Sequence, residues 1–397
     1  MYKKFLLFTS IIQLAILSML ITGCEKIDQM ITPDTTVPTM DKTLKIGVIQ
    51  PSNTFTTFSQ GAETARVQIN EMGGVLGMKV EFISRDNQPV ATAPPTPEAS
   101  VSAAKELIDV EDVFALLGPI YSTNAVEVGP IAQQAKRLML PGSSGSNVPV
   151  VGDYVFLITV PNPFQGKVMA SFAMNPDELG AKTAATIHED GDVYSNDLVL
   201  AFEDAFQGIG GKIVHSGTYS AGDTTFTNLL TEIHNTNPDV IFCPAFQPEV
   251  PLLINEARSI GITVSFLGGS AWDDRERFLS ILDDNSVLDD CYYPTNFSVA
   301  TPDPNVQEFV QGYTALFGGP PDGIAASGYD AMRLLARAID TAGSLDNEAV
   351  RDAFAETSGY KGATTISHYD GNRHPVKSLA IQVIQDGQVK HYKVVEP

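Results

Sequence analysis

The feature that most limits what this 397-residue chain can fold into is a regular alternation of strand-like and helix-like segments. Short apolar runs, such as 44–49 and 79–83, alternate with stretches such as 58–72, whose apolar residues recur at helical spacing. Alternation of this kind is typical of a parallel sheet covered by helices. The pattern restarts after Pro161, and a hairpin is predicted around Asp386-Gly387. We therefore predict two successive α/β lobes rather than one core.

The amino-terminal segment predicts export. Lys3 and Lys4 precede a mostly apolar run, 5–21, and the sequence Ile-Thr-Gly-Cys follows at once, ending at Cys24. An apolar stretch this short, ending in small residues, is typical of a signal peptide rather than of a membrane-spanning helix. Its ending also resembles the bacterial lipobox, which implies cleavage before Cys24 and acylation of that cysteine. The alternative is an ordinary signal peptide.

Residues 1–23 are thus predicted to be a signal peptide, and residues 24–43 a lipidated cysteine followed by a flexible tether. The tether contains Pro33 and Pro38 and has little apolar periodicity. Later runs are too short or too polar to cross a bilayer. We expect an exported protein held by its lipid on the periplasmic side of a membrane, inner or outer, or on the outer cell surface.

The charge of the chain limits the class of partner. Its formal net charge is -22, and removal of a signal peptide with two lysines would make it more negative. A surface this acidic argues against nucleic-acid binding. The charge does not discriminate among small ligands.

Cysteine, histidine and motif spacing give no indication of a cofactor, a metal site or catalysis. After Cys24 only Cys243 and Cys291 remain; export permits a disulfide between them, and two separate buried thiols are the alternative. His188-Glu189 lacks the second histidine of a zinc-binding helix. Gly142-Ser143-Ser144-Gly145 is one residue short of a nucleophile elbow. We therefore expect neither an enzyme nor a cofactor.

Two loops rich in hydroxyl groups follow strands of the first predicted lobe. Ser122 and Thr123 come just before a helix, where hydroxyls and free N–H groups can bind an anionic or carbonyl group. Ser143 and Ser144 lie in the next such loop, between glycines that let a ligand approach the backbone. Ligands of open α/β sheets bind beyond the carboxyl ends of the strands. Helix capping and a simple Ser/Gly turn are the alternatives.

The second predicted lobe places aromatic residues at comparable strand ends. Tyr194, Phe246 and Trp272 are candidates to cover an apolar ligand body or to stack on a cation. Packing in the core is the alternative for each. Asp273 and Asp274 are candidates to pair with a cationic ligand, although an acid at a helix start often serves as a cap.

The order of several segments resembles the type I periplasmic binding proteins of branched-chain amino acid uptake. The resemblance extends from about Leu44 to Val395, and each motif alone is weak. The segments that carry it are Lys45-Ile46-Gly47-Val48, Ile69-Asn70-Glu71-Met72-Gly73-Gly74, Leu117-Gly118-Pro119, Gly222-Asp223-Thr224-Thr225-Phe226, Asn237-Pro238-Asp239-Val240, Gly268-Gly269-Ser270-Ala271-Trp272-Asp273 and Gly328-Tyr329-Asp330-Ala331.

The resemblance implies two doubly wound, parallel-sheet lobes joined by a hinge of three crossovers. Lobe I would comprise residues 44–160 and 297–366, and lobe II residues 161–296 and 367–397. The crossovers would lie near 161–163, 296–301 and 367–375. Binding would proceed by closure of the hinge around a ligand.

The resemblance also implies roles for individual residues. Ser122 or Thr123 and Ser144, with backbone groups near Ser143, would hold a ligand carboxylate, and Tyr194 and Phe246 would form an aromatic wall. Two further residues complete the candidate site: Ser270, where amino-acid binders of this family commonly carry an acid, and Tyr121, whose bulk suggests a pocket unlike that for leucine.

Without an acid at position 270, either Asp273 or Asp274 pairs with a ligand ammonium, or the ligand has none. We expect a monomeric substrate-binding lipoprotein that delivers a small polar ligand, an amino acid or a related carboxylate or amide, to an ABC permease in the inner membrane. It would touch the membrane only through its lipid. A ligand sensor of the same fold and an exported enzyme are the alternatives.

Overall fold

A computed structural model describes residues 42–90 and 94–396 of the chain. The predicted signal peptide, Cys24 and most of the tether lie outside the described residues. The strands have these bounds: β1 Thr43–Gln50, β2 Lys79–Asp86, β3 Ala115–Leu117, β4 Leu138–Leu140, β5 Thr183–Glu189, β6 Lys212–Tyr219, β7 Val240–Phe242, β8 Ser265–Leu267, β9 Cys291–Thr295, β10 Ser358–Lys361, β11 Thr365–Tyr369, β12 Pro375–Val376, β13 Leu379–Gln385 and β14 Gln388–Val395.

Helices alternate with the strands through most of this order. They have these bounds: α1 Thr57–Glu71, α2 Pro97–Lys105, α3 Ser122–Gln134, α4 Asn162–Met174, α5 Val193–Gly208, α6 Thr227–Thr236, α7 Glu249–Ser259, α8 Arg275–Leu279, α9 Pro304–Phe317, α10 Gly323–Ala342 and α11 Asn347–Ala355.

The strands form two large sheets and one small one. Strands β2-β1-β3-β4 make a four-stranded sheet, here called the first sheet, in which all neighbours are parallel. The second sheet has the order β14-β13-β9-β8-β7-β5-β6, and its β5 to β9 neighbours are parallel. Strands β10 to β12 form a small antiparallel sheet. The predicted alternation and the predicted terminal hairpin, β13–β14, are confirmed.

The central strands are buried on both faces. Ile46 and Val48 of β1 are fully buried in one hydrophobic cluster, whereas Ile49 faces a second cluster on the other side of the sheet. All three residues of β4 are also buried. Continuous apolar runs of this kind are characteristic of parallel strands with helices on both sides, which explains why they could be recognised as strands.

Helix α4 and strands β10 to β12 were not predicted from the sequence. The segment Pro161-Asn162-Pro163 indicates a loop, but Pro163 occupies the first turn of α4, where a missing N–H group costs nothing. Eight of the 13 residues of α4 are buried, including Asn162, Gln165 and Gly166. A helix that is buried on most sides has no amphipathic pattern to detect.

Cys243 and Cys291 are buried free thiols, so the disulfide that the sequence left open is not formed. Burial raises the pKa of each thiol to about 12. Neither thiol is therefore ionised at neutral pH. Over residues 42–90 and 94–396, no helix combines the length and apolar character needed to cross a membrane.

Helices α1 and α10 approach so closely that glycine is required at their contact. A Cβ atom added to Gly61 would lie 1.8 Å from the carbonyl oxygen of Ala325, and one added to Gly328 would lie 1.8 Å from that of Phe58. Both obstacles are backbone atoms of the facing helix. The two helices can pack in this way only because neither contact residue has a side chain.

We predict that Gly61→Ala lowers the free energy of unfolding by about 3 kcal/mol, since the helices must separate to admit the methyl group. The matched control is Gly208→Ala at the end of α5, where an added Cβ meets nothing within 4 Å. That control should be neutral or stabilising by up to about 1 kcal/mol. Chemical denaturation of both variants is the measurement, and equal stability would contradict the proposed close packing.

Candidate functional site

A cavity lies between the carboxyl ends of the strands of the two large sheets. It encloses about 580 Å³ of space, open solvent at its mouth included. Its lining combines residues that follow strands of the first sheet with residues that follow strands of the second. They are Phe55, Ile120, Tyr121, Ser122, Gly142, Ser143, Ser144, Thr159, Val160, Gln165, Tyr194, Phe246, Ser270, Ala271, Asp273, Pro294, Thr295, Asn296, Gly323, Ile324, Ser327 and Leu379.

The structure brings most of the predicted ligand residues together in this lining. Although they are spread over about 150 positions of the chain, eight of the ten line the one cavity. These eight are Tyr121, Ser122, Ser143, Ser144, Tyr194, Phe246, Ser270 and Asp273.

The other two predicted residues do not line the cavity. The Thr123 hydroxyl donates to Asp192 Oδ1 at 3.1 Å and accepts from the backbone N–H of Val193 at 3.1 Å. Trp272 is 1% exposed and stacks on Phe278, with ring centroids 5.0 Å apart. Thr123 thus connects the start of α3 with the start of α5, and Trp272 packs in the core.

One side of the cavity is formed by hydroxyl groups that have spare hydrogen-bonding capacity. Ser122 Oγ accepts from the N–H of Gly145 at 3.1 Å, so its own proton remains available. Ser143 is 4% exposed, and its Oγ has no hydrogen-bond partner among the described residues. Ser144 is also buried. Buried hydroxyls without partners are costly unless a ligand or water completes them.

The lining also contains a cluster of aromatic rings. Phe246 is central, with ring centroids 4.8 Å from Tyr121, 5.2 Å from Tyr194 and 6.1 Å from Phe55. Sequence reasoning missed Phe55, which follows β1. Its backbone is in the left-handed region, at φ 51°, which is rare for a bulky residue and is not visible in the sequence.

Gln165 was also missed, because it lies on the unpredicted helix α4. Its side-chain oxygen accepts from the N–H of Ser270 at 3.1 Å, and its amide group donates to the carbonyl of Val160 at 2.7 Å. Gln165 therefore fixes the position of the Ser270 loop at the cavity.

Asp273 lines the cavity, but its oxygens are fully engaged by the protein. Oδ1 accepts from Arg275 at 2.8 Å and from the Tyr293 hydroxyl at 3.0 Å. Oδ2 accepts from Thr295 at 2.6 Å and from the N–H of Gly323 at 2.8 Å. The charge of Asp273 is the main factor that raises the pKa of Arg275.

Asp274 does not line the cavity. Its Oδ2 accepts from the N–H of Phe55 at 3.1 Å and from the Gln247 amide at 2.7 Å. It therefore connects the loop after β1 with the loop after β7. Burial raises the pKa of its carboxyl group.

Further hydrogen bonds join the loops of the first sheet to helix α5 of the second. The N–H and the hydroxyl of Ser146 each donate to a different oxygen of Asp197, both at 2.9 Å. The amide of Asn162 donates to the same carboxylate at 3.0 Å. Together with the bond from Thr123 to Asp192, these contacts hold the two sides of the cavity close together.

Comparison with known proteins gives consistent matches over most of the chain. A family model described as periplasmic binding protein matches residues 43–388. The Leu/Ile/Val-binding protein homolog 3 of Brucella melitensis is 26% identical over 313 residues, which are 77% of this chain and 81% of that protein.

Two crystal structures superpose on the chain with a TM-score of 0.81. One is a leucine binding protein, LivK, from Thermotoga maritima, at 28% identity, covering 89% of this chain and 99% of that one. The other is the branched-chain amino acid transporter substrate binding protein LivJ from Streptococcus pneumoniae in complex with isoleucine. It is 25% identical, and the match covers 90% of this chain and 100% of that one.

Glu189, at the end of β5, has an unusual ionisation. Burial, followed by the nearby charges of Asp192 and Glu249, raises its pKa to about 8. A raised carboxyl pKa favours the folded state at low pH, because the folded protein holds a proton that the unfolded chain releases. This contribution is lost as the pH rises from about 4.5 through about 8.

We therefore predict that Glu189→Gln is more stable than the wild type at pH 9. The expected difference is on the order of a few kcal/mol, because that is the free energy to which a pKa shift of this size corresponds. At pH 5 the two proteins should unfold at nearly the same temperature. The control is Glu127→Gln on α3, an exposed position, which should show no such pH dependence. Thermal unfolding across this pH range is the measurement, and parallel curves for wild type and Glu189→Gln would contradict the assignment.

Proposed function

The chain belongs to the periplasmic binding protein family and has its type I fold, as the sequence resemblance predicted, and from this premise we propose that it is an extracytoplasmic substrate-binding lipoprotein of an ABC importer. Proteins of this family bind solutes and are not enzymes. The proposed ligand is small and polar, an amino acid or a related carboxylate or amide.

The observation that carries the proposal is the cavity itself. Its walls come from loops at the carboxyl ends of strands in both large sheets, and they combine hydroxyl groups with aromatic rings. A small molecule there would touch both sheets' loops at once. Contacts that form only when both sides meet the ligand are what drive hinge closure.

The proposed lobes follow the two large sheets. Lobe I, residues 44–160 and 297–366, contains the first sheet, and its later segment supplies α10, which packs on α1. Lobe II, residues 161–296 and 367–397, contains β5 to β9 and the terminal hairpin of the second sheet. Crossovers near 161–163, 296–301 and 367–375 would form the hinge.

In this mechanism the structure corresponds to the closed form. The bonds of Thr123 with Asp192 and of Ser146 with Asp197 would break on opening, as would the contacts of Asp274 with the loop after β1. These hydrogen bonds are partly or fully buried, and because opening would exchange each of them for hydrogen bonds to water, each makes only a modest net contribution to closure. The ligand would supply the remaining free energy of closure.

Cys24 is the proposed site of lipidation, on the basis of the Ile-Thr-Gly-Cys sequence that it ends. A diacylated or triacylated cysteine holds a protein to a membrane far more firmly than a single chain does. The protein would then face the periplasm or the outer cell surface and act as a monomer. Its partner would be an ABC permease in the inner membrane.

Ser122→Ala and Ser144→Ala should each weaken ligand binding about ten-fold or more, because each removes a hydrogen bond to a charged group worth about 1.5–3 kcal/mol. The ligand would first be identified by a thermal-shift screen, and its affinity then measured by isothermal titration calorimetry. Ser102→Ala on α2, an exposed position, is the matched control. Unchanged affinity in both site variants would refute the placement of the ligand.

Cys24→Ser should release the protein from the membrane fraction and abolish incorporation of labelled palmitate, because the acylated sulfur is lost. Cell fractionation is the measurement. The wild-type chain, which should require detergent for extraction, is the reference. A wild-type chain recovered without detergent would overturn the lipoprotein assignment.

A further inference from the structure

We infer that the ligand is a monocarboxylate with an apolar body and without an ammonium group, an inference that rests on the proposed function of the cavity. Three features of the lining support it. They are a carboxylate whose acceptor positions are all occupied by the protein, a set of hydroxyl and N–H groups that have no acceptor, and a cluster of aromatic rings.

A ligand ammonium would find no free negative charge in this lining. Of the described residues that line the cavity, Asp273 is the one with a carboxylate. A carboxylate has about four acceptor positions, and Asp273 makes four hydrogen bonds, to Arg275, Tyr293, Thr295 and Gly323. To accept from a ligand it would have to release one of these partners.

The charge of Asp273 is also neutralised. The Arg275 guanidinium lies 2.8 Å from its Oδ1 and is largely buried beside it. An ammonium placed nearby would meet an ion pair rather than an isolated anion. Asp274 offers no substitute, because it lies outside the lining and binds Phe55 and Gln247.

The hydroxyl side of the cavity, in contrast, offers hydrogen-bond donors to an anion. Helix α3 begins at Ser122 beside the cavity, and Tyr121 before it provides no side-chain cap for the first N–H groups. Free N–H groups at a helix start favour negative charge. The Ser122 hydroxyl, which already accepts from Gly145, has its proton to donate.

A second, independent observation points to a ligand at the same place. Ser143 lines the cavity and is 96% buried, yet its Oγ has no hydrogen-bond partner among the described residues. Ser144 follows it in the lining, and its hydroxyl makes no hydrogen bond within the described part of the chain. Two carboxylate oxygens would satisfy these groups together with the start of α3.

The rest of the lining suits an apolar body. Phe55, Tyr121, Tyr194 and Phe246 form one continuous aromatic cluster, and Ile324 adds an aliphatic contact. The described residues of the lining include no Lys, Arg or His. The ligand carboxylate would therefore bind through hydrogen bonds and the start of α3, without a positively charged side chain. Because no such side chain would balance a second charge, the ligand would carry a single negative charge.

The test compares ligands that differ only in the ammonium group. Leucine is paired with 4-methylpentanoate, and phenylalanine with 3-phenylpropanoate; 4-methylpentanamide tests the need for the carboxylate. Calorimetric titration of the full mature chain carrying Cys24→Ser should show each acid binding at least a hundred-fold more tightly than its amino acid, since an unpaired buried ammonium is strongly disfavoured. The amide should bind more weakly than the acid.

A reciprocal variant tests the physical cause. Ser270→Glu adds a carboxylate to the lining at a half-buried position, and Ser270→Gln is its uncharged control of equal size. The Glu variant should raise the affinity for leucine at least ten-fold and lower that for 4-methylpentanoate, whereas the Gln variant should leave their ratio unchanged. Thermal unfolding of both variants shows whether they fold.

An amino acid that binds as tightly as its acid would overturn the inference and leave the proposed binding function standing. If a folded Ser270→Glu protein has the same ratio of leucine affinity to 4-methylpentanoate affinity as the wild type, the inference loses its physical basis. If all five compounds fail to bind, the ligand class is wrong. A hit from a wider panel that loses affinity in Ser144→Ala would then preserve the proposed function, and the absence of any hit would count against both.

Discussion

The carboxylate of Asp273 connects the parts of the protein that define the cavity. It follows β8 and binds Tyr293 and Thr295 of the neighbouring strand β9, so it fixes the carboxyl end of β9 in the second sheet. It also accepts from the N–H of Gly323, the first residue of α10, the helix that packs on α1 beside the first sheet. Asp273 is a buried charge held by four hydrogen bonds, one of them from an arginine, and removal of one partner would be costly.

This arrangement explains why an acid in a binding cavity need not be a ligand-binding group. Sequence analysis placed Asp273 among the candidates because of its position after a strand, and the structure does place it in the lining. Its partners, however, lie two residues away in Arg275 and 20 to 50 residues away in Tyr293 and Gly323. Only the folded chain shows that the charge is already satisfied.

The sequence predicted the strands and the loops beyond them well, because buried parallel strands are continuous apolar runs. Ser122 and Ser143 could be assigned in this way, since each follows such a run and the carboxyl ends of parallel strands share one edge. Phe55 and Gln165 could not. The position of Phe55 depends on a left-handed backbone conformation held by Asp274, and Gln165 lies on a helix too buried to show periodicity.

The same reasoning accounts for Thr123 and Trp272, which were predicted from strand-end position but do not line the cavity. A residue at a strand end can point into the cleft, into the core or towards the facing loop, and its neighbours decide which. The Thr123 hydroxyl contacts Asp192, and Trp272 is covered by Phe278 and Gly268. Contacts of this kind across the cleft are what closure would make and opening would break.

The most direct test of closure is a distance measurement by pulsed electron paramagnetic resonance between spin labels at Ser102→Cys on α2 and Leu200→Cys on α5, both exposed positions. In the Cys24→Ser chain the remaining Cys243 and Cys291 are buried with raised pKa and should not react with the label. The account predicts a broad distribution of distances without ligand and a single shifted distribution at saturation. One distribution, identical with and without saturating ligand, would contradict it.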